Sequence, residues 1–160
     1  MSASPIPTTY RLLFTTIEPL LAIAGAVQAL FSPAALLRST LPSVPYVPAL
    51  APLFTQMTGA WLALAFHDVV TLRSAAHRDD PRVWRHTLAA SAVSDVFYAA
   101  SLAQSMGPAR FFNPLRWDAV NAAAVVATVA PFVGKLFFLA GVGLPKASAS
   151  AKKATEKKTG

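Results

Sequence analysis

Glu18 and Asp95 are the residues of this chain whose type and position could do chemistry. Each stands in an otherwise apolar stretch, Glu18 in "YRLLFTTIEPLLAIAGAVQALF" and Asp95 in "TLAASAVSDVFYAASLAQSM". A charged side chain at mid-bilayer costs about 2.5–3.5 kcal/mol on insertion scales, so a sequence that keeps several of them is expected to use them. A protonated carboxyl is a general acid and an ionised one a general base. Two carboxyls in a greasy cavity can therefore divide the work: one protonates a substrate oxygen and the other activates water or a substrate hydroxyl. Tyr98, one turn beyond Asp95, is placed to hydrogen-bond that oxygen. His67, Asp68, Asn121 and Lys135 are the supporting polar residues, with His67 and Lys135 suited to tuning the carboxyls.

The elements that must position these groups follow from composition. The chain has 160 residues, no cysteine, 54% hydrophobic residues and only 13% charged ones, against roughly 25% charged in soluble domains. Its mean hydropathy is +0.48, which places it among membrane proteins. Without cysteine there is neither a disulfide framework nor a thiolate metal site. A net charge of +7 raises the question of nucleic acid, but the basic residues flank apolar runs and form no aromatic-interleaved patch, so a lipid surface is the better partner.

Four apolar stretches are long enough to cross a bilayer as helices, at residues 10–31, 50–72, 87–106 and 117–142. The third is the weakest because of Asp95, Tyr98 and its serines. The fold class predicted is all-α, a polytopic four-helix bundle over residues 1–145. Residues 146–160, rich in Ala, Ser and Lys, read as a disordered basic tail. The first run starts late and lacks a basic leader, so it reads as a span and not as a cleaved signal. Residues 32–49 are a proline-rich loop, residues 73–86 a short charged loop, and Trp84, Phe111, Phe112 and Trp117 interfacial anchors.

Four spans put both ends on one side. That side carries Arg11, Arg73, Arg78, Arg82, Arg85 and the tail lysines 146, 152, 153, 157 and 158, ten in all, against Arg38, Arg110 and Arg116 on the other. The positive-inside rule then places both termini in the cytosol. The chain ends "KKTG", with lysines third and fourth from the end, as in the dilysine signal of endoplasmic-reticulum membrane proteins.

Glu18 and Asp95 should lie at similar depth, each about 12 Å from the cytosolic start of its span. Helical spacing also groups the polar and small residues into stripes. These are Thr15, Glu18, Ala22 and Gly25; Gln56, Ala60, Ala63 and His67; Ser91, Asp95, Tyr98, Leu102 and Ser105; and Trp117, Asn121, Ala124, Thr128, Pro131 and Lys135. Stripes of this kind face one another away from lipid, giving a polar interior open or nearly open to the cytosol. Pro19 and Pro131 lack the N–H that would bond the carbonyls of Thr15 and Ala127, which then need other partners.

The sequence has no glycine-rich phosphate loop, no nucleophile elbow and no His-x-x-x-His pair. No cofactor or metal is expected, and the histidines at 67, 77 and 86 make a weak metal case. Four spans without repeated broken halves argue against a transporter.

"YRLLFTTIEPLLAIAGAVQALF", Trp84-Arg85 and "SDVFYAAS" resemble a group of small fungal integral membrane proteins known as a domain of unknown function. The resemblance extends to about Gly143 and implies four helices and a fungal source. Small membrane proteins of similar size in fungal polyketide pathways are thought to open or cyclise epoxides. The emopamil-binding-like fold of sterol isomerases is a looser likeness. Its full His/Glu/Glu pattern is missing here, so no isomerase residue carries over.

The function expected is that of a small membrane enzyme acting on a lipophilic metabolite through paired carboxylates. The alternative is a non-catalytic lipid or sterol binder or helper subunit. The partners expected are a lipophilic small molecule and the bilayer, with self-association into a homo-oligomer left open.

Overall fold

The computed structural model describes residues 4–41 and 43–145; the tail and its terminal lysines lie outside the described residues. Most of it is helical. Helix α1 spans Thr8–Phe31, α2 Pro33–Thr40, α3 Pro48–Arg73, α4 Pro81–Met106, α5 Pro108–Phe111 and α6 Ala119–Leu139. Three of them, α1, α3 and α6, are long and apolar enough to cross a membrane.

Local signals set the boundaries. Proline opens α2, α3, α4 and α5, where a missing N–H is harmless and φ is already helical. The Asp80 carboxylate caps α4, accepting from the Arg82 N–H at 2.8 Å, and Asp118 caps α6 through the Asn121 N–H at 2.8 Å. Cap and proline together start α4 at Pro81, so the expected loop over residues 73–86 ends early, and Trp84 to His86 are helical. Gly141, at φ 80°, closes α6 with a left-handed turn that residues with a Cβ resist. The proline-rich loop after α1 contains α2, whose Leu36 and Leu37 are buried as it crosses from α1 to α4 and α6.

The long helices run up, down, up, down. Helix α1 packs most extensively against α3, and α4 against α6. Gly25 abuts Trp61, and the Thr58 hydroxyl reaches the Ala26 carbonyl at 3.4 Å, so α1 and α3 are antiparallel and close. Trp84 meets Phe138 with ring centroids 5.7 Å apart, fixing α4 against α6. Gly134 gives α6 its approach to Leu13 and Phe14 of α1. The two helix pairs touch each other much less than their members do.

One end of the bundle is closed by a cluster of Ile6, Phe14, Leu72, Trp84, Leu88 and Phe138. This is the end bearing Arg11, Arg73, Arg82 and Arg85, where the interior was expected to be open or nearly open. It is sealed because the inward positions there are large and apolar. Trp84, expected as an interfacial anchor, is fully buried within this plug. Trp117 instead keeps an interfacial character, half-buried with its indole N–H on the Arg110 carbonyl at 3.0 Å.

The outer surface is greasy on every long helix. Leu20, Val27, Phe66, Val70, Val93, Phe97, Val126 and Phe137 are among the exposed side chains. Helix α4 has a lower hydropathy because Ser91, Asp95 and Tyr98 turn inward, while its outer face from Ala89 to Ala100 is apolar.

Candidate functional site

Each long helix brings one ionisable residue to the bundle interior: Glu18 from α1, Asp68 from α3, Asp95 from α4 and Lys135 from α6. Lys135 is fully buried and donates to both Glu18 and Asp95, the latter at 2.6 Å. A buried ammonium is tolerated only when paired and hydrogen-bonded, and here two carboxylates from different helices satisfy it. Glu18 and Asp95 meet on this shared lysine. The Lys135 tether crosses the sparse seam between the two helix pairs.

Asp68 is the fourth member, 2% exposed. Its neighbour His67 lies with Nδ1 3.9 Å from Asp68 Oδ1, beyond hydrogen-bond reach, and with half its ring exposed outside the bundle. Asp68 Oδ1 and Glu18 Oε2 are buried oxygens with no hydrogen-bond partner among the described residues. Such atoms are costly unless something donates to them. Fully ionised, the three carboxylates outweigh the single ammonium by two negative charges.

The cluster lies on a cavity of about 150 Å³. Glu18, Asp68, Asp95 and Tyr98 line it together with Trp61, Gly25, Ala124, Ala127, Thr128 and Pro131. Tyr98 stands edge-on to Trp61, centroids 5.7 Å apart, forming an aromatic wall. From the charges the cavity runs away from the apolar plug, toward Gly25 and Ala124. Leu21 of α1, which also lines it, is 44% exposed.

The two prolines work differently. Pro19 leaves the Thr15 carbonyl without its helical donor, and α1 widens into a π-helical turn over Leu13–Ile17 just before it. The Arg73 guanidinium takes the vacancy, donating to the Thr15 carbonyl and, at 2.9 Å, to the Thr16 hydroxyl. Glu18 thus sits at a helix irregularity braced from α3. Pro131 frees the Ala127 carbonyl in the same way, and Ala127 is at the cavity wall.

Of the residues expected in the site, Glu18, Asp68, Asp95, Tyr98 and Lys135 come together. Asn121 does not: its side chain donates to Asp118 at 2.7 Å at the start of α6. His67 does not either. The stripe Gln56, Ala60, Ala63 and His67 faces outward, and the inward face of α3 is Thr58, Trp61, Ala65, Asp68 and Leu72. One residue of difference is a 100° rotation, and the bulky exposed Leu62, Phe66 and Val70 on the opposite side mark which face turns outward. Trp61 and Arg73 were not foreseen as parts of the site. The large outward residues of α3 would have pointed to Trp61 and Asp68, and the carbonyl orphaned by Pro19 called for a donor such as Arg73.

The profile of a family described as a domain of unknown function, DUF7704, matches residues 3–145, and the chain belongs to that family. No curated protein matches the chain, nor does any solved structure.

Proposed function

We propose that this protein is a four-span integral membrane enzyme that opens or cyclises an epoxide, or a comparably strained ether, on a lipophilic metabolite. The observation that carries this reading is the pair of unpartnered buried oxygens, Glu18 Oε2 and Asp68 Oδ1, on a cavity walled by apolar and aromatic groups. They put Asp68 in the place of Asp95 beside Glu18: Lys135 binds both Glu18 and Asp95, but Glu18 keeps a second, unpartnered buried oxygen facing the same need as that of Asp68. Asp95 and Lys135 become positioning residues that hold Glu18.

One carboxyl gives its proton to the ring oxygen as the C–O bond breaks. The other takes a proton from water, or from a substrate hydroxyl, as that oxygen bonds to carbon. Water yields a vicinal diol and a hydroxyl yields a cyclic ether. The proton gained by the base returns to the acid between turnovers. Tyr98 is available to hydrogen-bond the departing oxygen. Positioned proton transfer of this kind contributes about 10²–10⁴-fold.

The four-span topology is supported by the apolar outer face of α4 and by the gathering of Arg11, Arg73, Arg82 and Arg85 at one end. That end is the cytosolic one by the positive-inside rule.

The test is metabolite profiling of a deletion strain complemented with wild type, Glu18→Gln or Asp68→Asn. Accumulation of an epoxide or an unclosed precursor, relieved only by wild type, is the expected result. Full complementation by both variants, each shown to be inserted, refutes the mechanism. The pairing of Lys135 with two carboxylates favours a second reading, in which the cluster only joins helices around a bound lipid. Co-purified lipid with unchanged metabolites would select it.

A further inference from the structure

We propose that the cavity recognises positive charge on its ligand: it is a binding site for a membrane-dissolved amphiphile bearing a protonated amine. The inference deepens the preceding one and rests on it for the membrane setting. Three observations on the same cavity converge. Three carboxyl groups gather there against one ammonium, that of Lys135, among the described residues, so that full ionisation leaves an excess of negative charge. Two of its buried carboxylate oxygens, Glu18 Oε2 and Asp68 Oδ1, have no hydrogen-bond donor among the described residues, and Asp68 is 2% exposed. Beside them stand Trp61 and Tyr98, whose π faces attract cations.

An ammonium has hydrogens for both oxygens and reduces the excess negative charge. A hydroxyl satisfies one oxygen and leaves the charge unchanged. The apolar remainder of the ligand fits the Gly25, Ala124 and Ala127 stretch. The plug of Phe14, Trp84 and Phe138 shuts the basic end to it. The same preference bears on catalysis. Acid-assisted opening of an epoxide builds positive charge on carbon, and a site that holds an ammonium there is complementary to that charge.

The experiment uses the full chain in lipid nanodiscs, with dodecylamine, whose ammonium carries three N–H donors, as probe and 1-dodecanol as its neutral counterpart. Binding is read by tryptophan fluorescence and by thermal stabilisation. The amine should bind at least about tenfold tighter than the alcohol. Glu18→Gln and Asp68→Asn should each reduce that preference severalfold, and Trp61→Phe should remove most of the fluorescence change. The comparison of the two probes on wild type needs no variant to fold. Equal affinity for amine and alcohol overturns the inference, as does an amine preference that both carboxamide variants retain. Amine binding without turnover would sink the enzyme and leave this site standing; Glu18-dependent turnover without amine preference would do the reverse.

Discussion

Replacing Lys135 by methionine isolates what holds the two helix pairs in register. Lys135 is fully buried, and the side chains of its partners Glu18 and Asp95 are 16% and 18% exposed, so solvent screens the group little. Removing the ammonium leaves two carboxylates facing each other with no cation between them. Breaking a buried pair from one side costs about 3–5 kcal/mol, the cost lying mainly in the charge left behind. In a chain of this size that corresponds to a midpoint lower by on the order of 10 °C. The assay is reversible unfolding from mixed micelles, carried out in two backgrounds. In the native background Lys135→Met should cost those several kcal/mol. In a Glu18→Gln/Asp95→Asn background, where no carboxylate is orphaned, the same change should cost less than about 1 kcal/mol. A native-background loss below about 1 kcal/mol, or equal losses in the two backgrounds, would refute the bridging role of Lys135.

Other perturbations test other parts of the molecule. A Cβ on Gly25 would lie 2.9 Å from the Trp61 ring, so Gly25→Ala should destabilise by about 1–3 kcal/mol in the same unfolding assay. Arg73→Gln should leave the Thr15 carbonyl underdonated, costing about 1–3 kcal/mol and speeding amide exchange around the π-helical turn. Asp79 is held below the usual carboxylate range by the Ser4 hydroxyl and by Arg11. Its folded value is depressed, so its contribution is complete above the unfolded value of about 3.9 and disappears as pH falls through the lower folded value. Asp79→Asn should therefore flatten the acid limb of the stability profile below about pH 4 and leave the neutral region's slope unchanged.

The helices were legible because long apolar runs bounded by proline and capping carboxylates leave little choice of local structure. The convergence of Glu18, Asp95 and Lys135 was legible too, since ionisable groups in greasy helices have few places to go. Asp68 was harder. His67 and Asp68 differ by one helical step, and the stripe of small residues ending at His67 is as regular as the one ending at Asp68. Only the outward bulk of Leu62, Phe66 and Val70 breaks the tie. The closed basic end escaped notice for a different reason. Phe14, Leu72, Leu88 and Phe138 look like lipid-facing residues in sequence, and only packing across four helices turns them into a plug. The service Arg73 performs for Thr15 depends on two residues far apart in the chain, which no local pattern records.

The bridge through Lys135 also has a consequence for how the chain is made. Helix α4 carries Asp95 and leaves the ribosome well before α6 supplies the ammonium that pairs with it. On the four-span reading, the translocon receives a segment whose acidic face has no counter-ion yet, next to a finished α1–α3 hairpin that adds two more carboxylates. Until α6 is released, α4 is held by its apolar back alone, and it should linger in the lateral gate or slip back into water. Integration of the third span is then tied to synthesis of the fourth. A glycosylation acceptor placed between α4 and α6 should be modified poorly in chains truncated before α6 and well in chains extended past residue 139.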